Sequence, residues 1–364
     1  MSKIIAIGKA VPAHQHRQQD IMNFMQDVYA LTEAGKRKIR FLYRQSDIDT
    51  RYSVIPDYSR TAGGWEFYPA TENLEPFPAL EQRMAWYQRY AAPLSVEAVR
   101  DCLEGKMPAA EITHLITVSC TGMSAPGLDL QLVDMLGLPR NSWRSSINFM
   151  GCYAALHALK IADVICKADR QAKVLIVSTE LCTLHFQRAA TVDNIASSLL
   201  FADGSAAALV VHSEAAQQGM ELTGFYAEVI PGGKKDMSWE LSSTGFQMTL
   251  SSYIPDLIGA DFGELADRAL QQCQLTREDV THWCIHPGGK KILEAIAQCL
   301  QLPADGLEDA AAVLRGYGNM SSPTILFVLK RMLDRALTTK SGATILGAAF
   351  GPGLTMETFI GRIQ

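Results

Sequence analysis

Two stretches of this chain, 168 residues apart, are written to one plan: Ile112 to Pro139 reads ITHLITVSCTGMSAPGLDLQLVDMLGLP, and Val280 to Pro303 reads VTHWCIHPGGKKILEAIAQCLQLP. In each, Thr-His leads into an apolar strand pattern, a Gly/Pro turn follows, and an amphipathic helix runs to a Leu-Pro stop. The same offset carries Gly151, ahead of the helical run CYAALHALKIADVICKA, to Asn319, which starts NMSSPTILFVLKRML. Further on, AKVLIVSTE from Ala172 matches GATILGAAF from Gly342, and LLFADGSAAALVV matches AAFGPGLTMETFI, each with a Gly turn between apolar strands. Elements recurring in one order predict two similar α/β halves, residues 1–215 and 216–364. Equivalent elements of duplicated halves meet across a pseudo-two-fold axis, so both core-helix starts and both strand-end loops are expected at one centre. A sheet on each side would sandwich the two Ala- and Leu-rich helices. With 364 residues, 48% of them hydrophobic, the chain has apolar material enough for such layers.

That centre would hold a thiol, an imidazole and a carboxamide. Cys152 stands at the start of the first core helix, where free backbone N–H groups and the positive end of the dipole favour a thiolate, below the usual thiol pKa of about 8.5. His286 ends the apolar strand of the second repeat, directly before Pro287-Gly288-Gly289, and strand ends are where α/β sites collect. Asn319 opens the second core helix. Taken singly, each has an ordinary explanation: cysteine is a small hydrophobe, histidine is often structural, and asparagine caps helices. Their convergence predicts a nucleophile, an acid/base at neutral pH and an amide donor in one site.

Charge and cysteine usage narrow the class. Lys+Arg 33 against Asp+Glu 38 leaves a net charge of −5, which predicts no general attraction to nucleic acid or to a membrane surface. The cysteines at positions 102, 120, 152, 166, 182, 273, 284 and 299 form no CxxC pair and no zinc-type spacing with histidine. A reduced, cytoplasmic protein without a metal is expected. The N-terminal apolar run covers only Ile4 to Ile7 and no 18-residue apolar stretch occurs, so neither a standard export signal nor a membrane span is expected.

The segments MGCYA, IHPGGKKIL, YGNMSSPTILFVL and AFGPGLTMET, in this order and spacing, resemble the signatures of type III polyketide synthases, the chalcone and stilbene synthase family, in a bacterial-like form. The likeness runs from about Lys3 to the C-terminus. It implies a thiolase-like αβαβα five-layer fold, a homodimer, and an acyltransferase that condenses an acyl-CoA starter with malonyl-CoA by decarboxylation on a cysteine thioester. Cyclisation to a pyrone, resorcinol or phloroglucinol-type product would follow, with no cofactor and no obligatory carrier protein. By position, Cys152 would be the acyl-accepting nucleophile and His286 and Asn319 its partners. Phe201 matches one family gatekeeper phenylalanine.

Departures from the plant pattern are expected to shape the pocket. The second gatekeeper aligns with Met248, although Phe246 is near. Cys120, beside Thr121, replaces a threonine; His185 stands for a small hydroxyl residue; Trp239 stands for a cavity-lining glycine and is expected to shorten the starter pocket; Ser321 completes this set. In the basic run GKRKIRFLYR, Lys38 matches a position that holds CoA phosphates, while two others are Phe41 and Gln45 here, leaving Arg40 and Arg44 to substitute. Two other readings keep a similar constellation: a β-ketoacyl-ACP synthase of the initiating type, and a catalytically silent acyl-CoA-binding subunit.

Overall fold

Strand β1 (Ser2–Ala10) is the seam of the molecule: along its length it pairs antiparallel with a strand of the first half, and at Ser2 to Ile4 it also pairs with a strand of the second. The computed structural model of the chain describes every residue except 30, 217, 231, 232, 234 and 337–341. After β1 comes a two-stranded ribbon, β2 (His14–Arg17) with β3 (Thr50–Ser53), and between them the helices α1 (Gln18–Val28) and α2 (Glu33–Arg44). The first half continues through α3 (Leu80–Leu103), β4 (His114–Ser119), α4 (Leu128–Leu136), β5 (Trp143–Asn148), α5 (Ala154–Ala168), β6 (Lys173–Leu181), α6 (Val192–Leu200) and β7 (Asp203–His212). The second runs β8 (Met220–Val229), the hairpin β9 (Met237–Ser242) and β10 (Gly245–Leu250), α7 (Ile254–Gln272), β11 (His282–Ile285), α8 (Lys290–Cys299), α9 (Glu308–Tyr317), α10 (Thr324–Ala336), β12 (Thr344–Gly351) and β13 (Thr355–Ile363).

The large sheet has nine strands in the order β11-β12-β13-β8-β1-β7-β6-β4-β5. Read outward from the β8–β1 seam, its two sides repeat. One side is β1, β7, β6, β4 and the other β8, β13, β12, β11, and both pair antiparallel, antiparallel, then parallel. Strand β5 extends the first side alone.

Side-chain alternation builds the layers. On β4, β6 and β7, Ile116, Val118, Val174, Ile176, Ala206, Ala208 and Val210 face a core shared with α5 and α10, whereas Leu115, Leu175, Val177, Ala207 and Leu209 face a second core with α3 and α4. Because both faces are covered, β7 and β12 read as unbroken buried runs. Helices α7 and α8 cover the far side of the second half through Ile258, Phe262, Leu265, Ile292 and Ile296. The order α3/α4, the β1 side of the sheet, α5/α10, the β8 side of the sheet, α7/α8 is the five-layer thiolase-like arrangement. Alanines at 154, 155, 158 and 162 let α5 sit close in the middle layer, and truncating its fully buried Leu156 or Leu159 to Ala would cost about 2–5 kcal/mol.

Candidate active site

Cys152 is carried by one 3-10 turn, Gly151–Tyr153, that runs straight into α5. The turn is wedged against the end of β12. Gly151 has φ +74°, and a Cβ there would lie 2.3 Å from Pro352 Cδ; one on Gly351 would lie 2.6 Å from the Tyr153 ring and 3.3 Å from the Cys152 nitrogen. Both sides of the contact therefore require glycine, and the FGPG segment of the second half sets the height of the thiol of the first.

His286 follows β11 directly. Its N–H donates to the Ala348 carbonyl of β12 at 2.8 Å, which ties the residue to the sheet before the Pro287-Gly288-Gly289 turn. The ring is fully buried, and neither Nδ1 nor Nε2 has a hydrogen-bond partner among the described residues. Buried polar atoms are nearly always paired, so two free nitrogens on one ring are groups held available to something that enters.

Asn319 lies in the turn ahead of α10, which begins five residues later, so it does not cap that helix. Its N–H donates to the Leu200 carbonyl and its carbonyl accepts from Ala202, both at 2.9 Å, strapping it beside Phe201. Its Oδ1 accepts the Ser321 N–H at 2.8 Å and its Nδ2 donates to the Gly288 carbonyl at 3.3 Å, which aims the amide donor at the His286 loop. Ser321 has φ 60°, a left-handed conformation that costs a serine about 1–3 kcal/mol. That conformation brings its hydroxyl within 3.4 Å of the Cys152 sulfur and 3.7 Å of the Cys120 sulfur.

One cavity of about 640 Å³, mouth included, is lined by Cys152, His286 and Asn319 together with Phe201, Met248, Cys120, Thr121, Trp239 and Ser321. His185 is not among its lining residues. It borders a neighbouring cavity of about 570 Å³ that shares Cys182, Phe201, Trp239 and Met248 with the first. The reason is local: the His185 ring stacks on Phe246 at 4.1 Å, accepts the Phe246 N–H at Nδ1 (3.0 Å) and meets the Thr121 carbonyl at Nε2 (2.7 Å), so it is committed to the wall. In the β9–β10 ladder Met248 lies opposite Trp239, which puts Met248 rather than Phe246 at the catalytic cavity. Trp239 is held by its indole N–H, donated to the Cys120 carbonyl at 2.7 Å.

Burial reverses the electrostatics expected from the helix start. The Cys152 thiol is pushed up to about 12, chiefly by desolvation and against the pull of the Ser321 hydroxyl. The His286 ring is brought down to about 3 by burial. A helix-terminus effect is worth about 0.3–1 kcal/mol, whereas a fully desolvated charge shifts a pKa by several units, so desolvation wins. At neutral pH the pair is thiol and neutral imidazole.

Glu180 was not singled out by sequence reasoning. It is fully buried on β6 with its carboxyl raised by desolvation, and it accepts from Ser322 Oγ (2.6 Å), Thr121 Oγ1 (2.8 Å), the Cys120 N–H (2.9 Å) and the Cys120 thiol (3.3 Å). A lone carboxylate inside the apolar run VLIVSTEL was the available signal. Outside the cavity, Lys38 and Arg44 are exposed on α2 and Arg40 is half-buried. Just past the end of α2, Asp47 pairs at 3.0 Å with Lys290, the first residue of α8 after the His286 turn.

Residues 1–214 match the family model described as chalcone and stilbene synthases, N-terminal domain, and residues 221–363 match the corresponding C-terminal domain. The alpha-pyrone synthesis polyketide synthase-like Pks18 of Mycobacterium tuberculosis is 29% identical over 97% of this chain and 89% of its own length. The probable polyketide synthase 1 of Dictyostelium discoideum is 29% identical over 98% of this chain, which there spans only 11% of the relative's length. Among solved structures, PKS-I from the brown alga Ectocarpus siliculosus superposes with a TM-score of 0.93 at 29% identity, covering 100% of this chain and 98% of that one.

Proposed function

This chain belongs to the chalcone and stilbene synthase family, and from that premise we propose how its buried cavity builds a polyketide and which residues do the work. The enzyme is a type III polyketide synthase, an acyltransferase. Cys152 Sγ attacks the carbonyl of an acyl-CoA; its proton passes to the free lone pair of His286, and the departing CoA thiolate takes that proton away. The acyl group is then held as a thioester on Cys152. Malonyl-CoA follows, its thioester oxygen placed against the N–H of neutral His286 and the amide of Asn319. Loss of carbon dioxide leaves the electron pair as an enolate on that oxygen, stabilised by two fixed donors in a desolvated pocket. The enolate carbon attacks the acyl-Cys152 carbonyl and expels the Cys152 thiolate, giving a CoA ester two carbons longer that reloads for the next round. The scheme uses no metal or organic cofactor.

The observation that carries the reading is the pair of unpartnered His286 nitrogens beside Cys152 and Asn319. One nitrogen takes a proton and the other gives a hydrogen bond, the two acts the scheme requires of one ring. The division into a nucleophile-bearing half (1–215) and a half bearing His286 and Asn319 (216–364) is part of this reading, supported by the repeated strand order about the β8–β1 seam. Phe201, Met248 and Trp239 set starter length, and Lys38, Arg40 and Arg44 receive CoA phosphates. His185 acts on the pocket through Thr121, Phe246 and Trp239, whose ring it meets edge-on at 5.5 Å. The assembly is a homodimer: edge strand β5 presents Trp143 at 75% exposure, and Met123, Leu130 and Met135 of the same half are also exposed, an apolar set that a second copy would cover. A cytoplasmic setting suits eight free thiols.

The test is incubation with labelled malonyl-CoA and a panel of short, long and aromatic acyl-CoAs, followed by mass spectrometry of products and protein. Expected are carrier-free pyrones or resorcinols and an acyl adduct on Cys152 that Cys152→Ala abolishes. A single extension seen only with malonyl-ACP would instead identify an initiating ketoacyl synthase. Absence of any adduct would identify a silent binder.

A further inference from the structure

Among the described residues two guanidinium groups, Arg51 and Arg83, are buried with no carboxylate bonded to them, and in each Nη2 lacks a hydrogen-bond partner. The fold compensates only one. Arg83 has its charge faced by the rings of Phe77 at 5.0 Å and Phe67 at 6.0 Å, and its Nε donates to the Pro78 carbonyl at 3.0 Å. Arg51, on β3, has only neutral acceptors: Nε donates to Gln18 Oε1 at 2.9 Å and Nη1 to the Phe201 carbonyl at 2.6 Å. The groups whose charge it feels are spent elsewhere, Tyr43 on Ser198 at 3.2 Å, Tyr58 on the Thr183 carbonyl at 3.2 Å, and Asp203 on the Val54 and Thr183 N–H groups at 2.8 Å. Asp203 thus acts on it only at a distance. Unlike Arg83, Arg51 borders the cavity of about 570 Å³ that adjoins the catalytic one. A buried cation is costly without an anion against it, so this one is held for a ligand that brings the anion.

Ile21, Met25 and Phe186 give that cavity an apolar wall, and Phe201 and Met248 line both it and the catalytic cavity. Because Arg51 holds the Phe201 carbonyl, one residue separates the guanidinium from the chamber of Cys152. On the same lining His16, Thr183 and Ser197 make their hydrogen bonds within the protein, so Arg51 offers a spare donor. We infer that this second cavity receives the far end of an ω-carboxyacyl starter, the CoA monothioester of a dicarboxylic acid, whose free carboxylate pairs with Arg51 Nη2. Its methylenes lie along Ile21, Met25 and Phe186, and its thioester end reaches Cys152 past Phe201. The loading step is unchanged: Cys152 Sγ bonds to the acyl carbon, CoA leaves as its thiol, and the distant carboxylate takes no part in bond making. A fatty acyl chain of the same length would cover the same wall but leave the guanidinium unpaired. The inference rests on the polyketide synthase reading and adds a class of starter to it.

The experiment pairs each dicarboxylic monothioester of CoA from glutaryl to sebacoyl with the fatty acyl-CoA of equal carbon number, malonyl-CoA being the extender. It reads kcat/KM for the unaltered enzyme, Arg51→Met and Gln18→Glu. At one or more lengths the unaltered enzyme is expected to use the carboxylated starter at least as well as its fatty counterpart. Arg51→Met is expected to lower the ratio of the two about 100-fold at that length, since the carboxylate would be buried unpaired. Gln18→Glu keeps Arg51 but supplies a counter-charge at its Nε, and is expected to lower the same ratio about tenfold; it decides the matter should Arg51→Met not fold. A fatty starter preferred more than about tenfold at every length overturns the inference, as does a ratio that neither substitution moves. Loading of fatty starters alone thus removes the inference and leaves the synthase intact. Absence of an adduct on Cys152 from either series would instead sink the synthase reading beneath it.

Discussion

The loops after β4 and after β11 are counterparts in the duplication and face each other across the cavity, yet they are finished in opposite ways. In the first, every polar group named above is spoken for: Cys120 and Thr121 bond to Glu180, the Cys120 carbonyl accepts from Trp239, and the Thr121 carbonyl meets His185. In the second, the backbone is tied down through Ala348 but the His286 ring has no hydrogen-bond partner among the described residues. A satisfied loop makes a wall, and an unsatisfied one makes a tool. A buried group that has already spent its hydrogen bonds has little left to offer a transition state, whereas one held in place by its backbone alone pays no penalty to rearrange.

The contrast predicts a crossed pair of phenotypes, the largest effects expected. Glu180→Ala strands the Cys120 N–H and the hydroxyls of Thr121 and Ser322 in the core, and should cost about 3–5 kcal/mol in urea unfolding. His286→Ala removes a ring with no hydrogen bond among the described residues, so unfolding free energy should move by less than about 1 kcal/mol, while condensation slows about 100- to 1000-fold. If His286→Ala proved as destabilising as Glu180→Ala, the division into wall and tool would be wrong.

A second effect concerns the thiol that the two loops enclose. With Cys152 raised to about 12 and His286 neutral, the free enzyme should hold little thiolate at pH 7. The rate of iodoacetamide inactivation should then climb about tenfold per pH unit from pH 7 to 9, in step with the thiolate fraction. A rate that is flat above pH 6 would mean a thiolate and imidazolium pair at rest, and would place the proton on His286 before substrate arrives.

Much of the framework was legible in the sequence because it is periodic. The repeat of strand, turn and helix fixes where β4 and β11, α4 and α8, and α5 and α10 lie, and the stop before Pro287 puts His286 at a strand end. What stayed hidden depends on partners remote in the chain. Glu180 reads as a flaw in an apolar strand until Ser322, 142 residues away, is seen to bond it. The state of Cys152 was misjudged for the same reason: a helix start is a local feature, but burial under Pro352 and beside Ser321 is not. His185 lines the neighbouring cavity rather than the catalytic one, and its position in the chain cannot reveal that Phe246 and Thr121 occupy both of its nitrogens.

His185 and His286 allow the comparison to be drawn most finely, for they are alike in burial and opposite in hydrogen bonding. Both titrate at about 3 in the fold, against about 6.5 when exposed. Between those values the unfolded chain binds the extra proton, so each ring's contribution is whole above pH 6.5 and is lost as pH falls toward 3, at up to about 1.4 kcal/mol per pH unit. Burial is the largest cause for both rings; at His185 the Thr121 carbonyl raises the value and the Arg83 charge lowers it, whereas at His286 burial acts alone. His185→Phe and His286→Ala should therefore flatten the acid limb of unfolding free energy equally, measured from pH 6 to 4.5. They should differ at pH 8, where only His185→Phe leaves the Phe246 N–H and the Thr121 carbonyl unpaired and lowers the plateau, by about 1–3 kcal/mol. Unequal slopes with equal plateaus would show that the two rings differ in solvation instead, and that His286 reaches water through the mouth of the cavity.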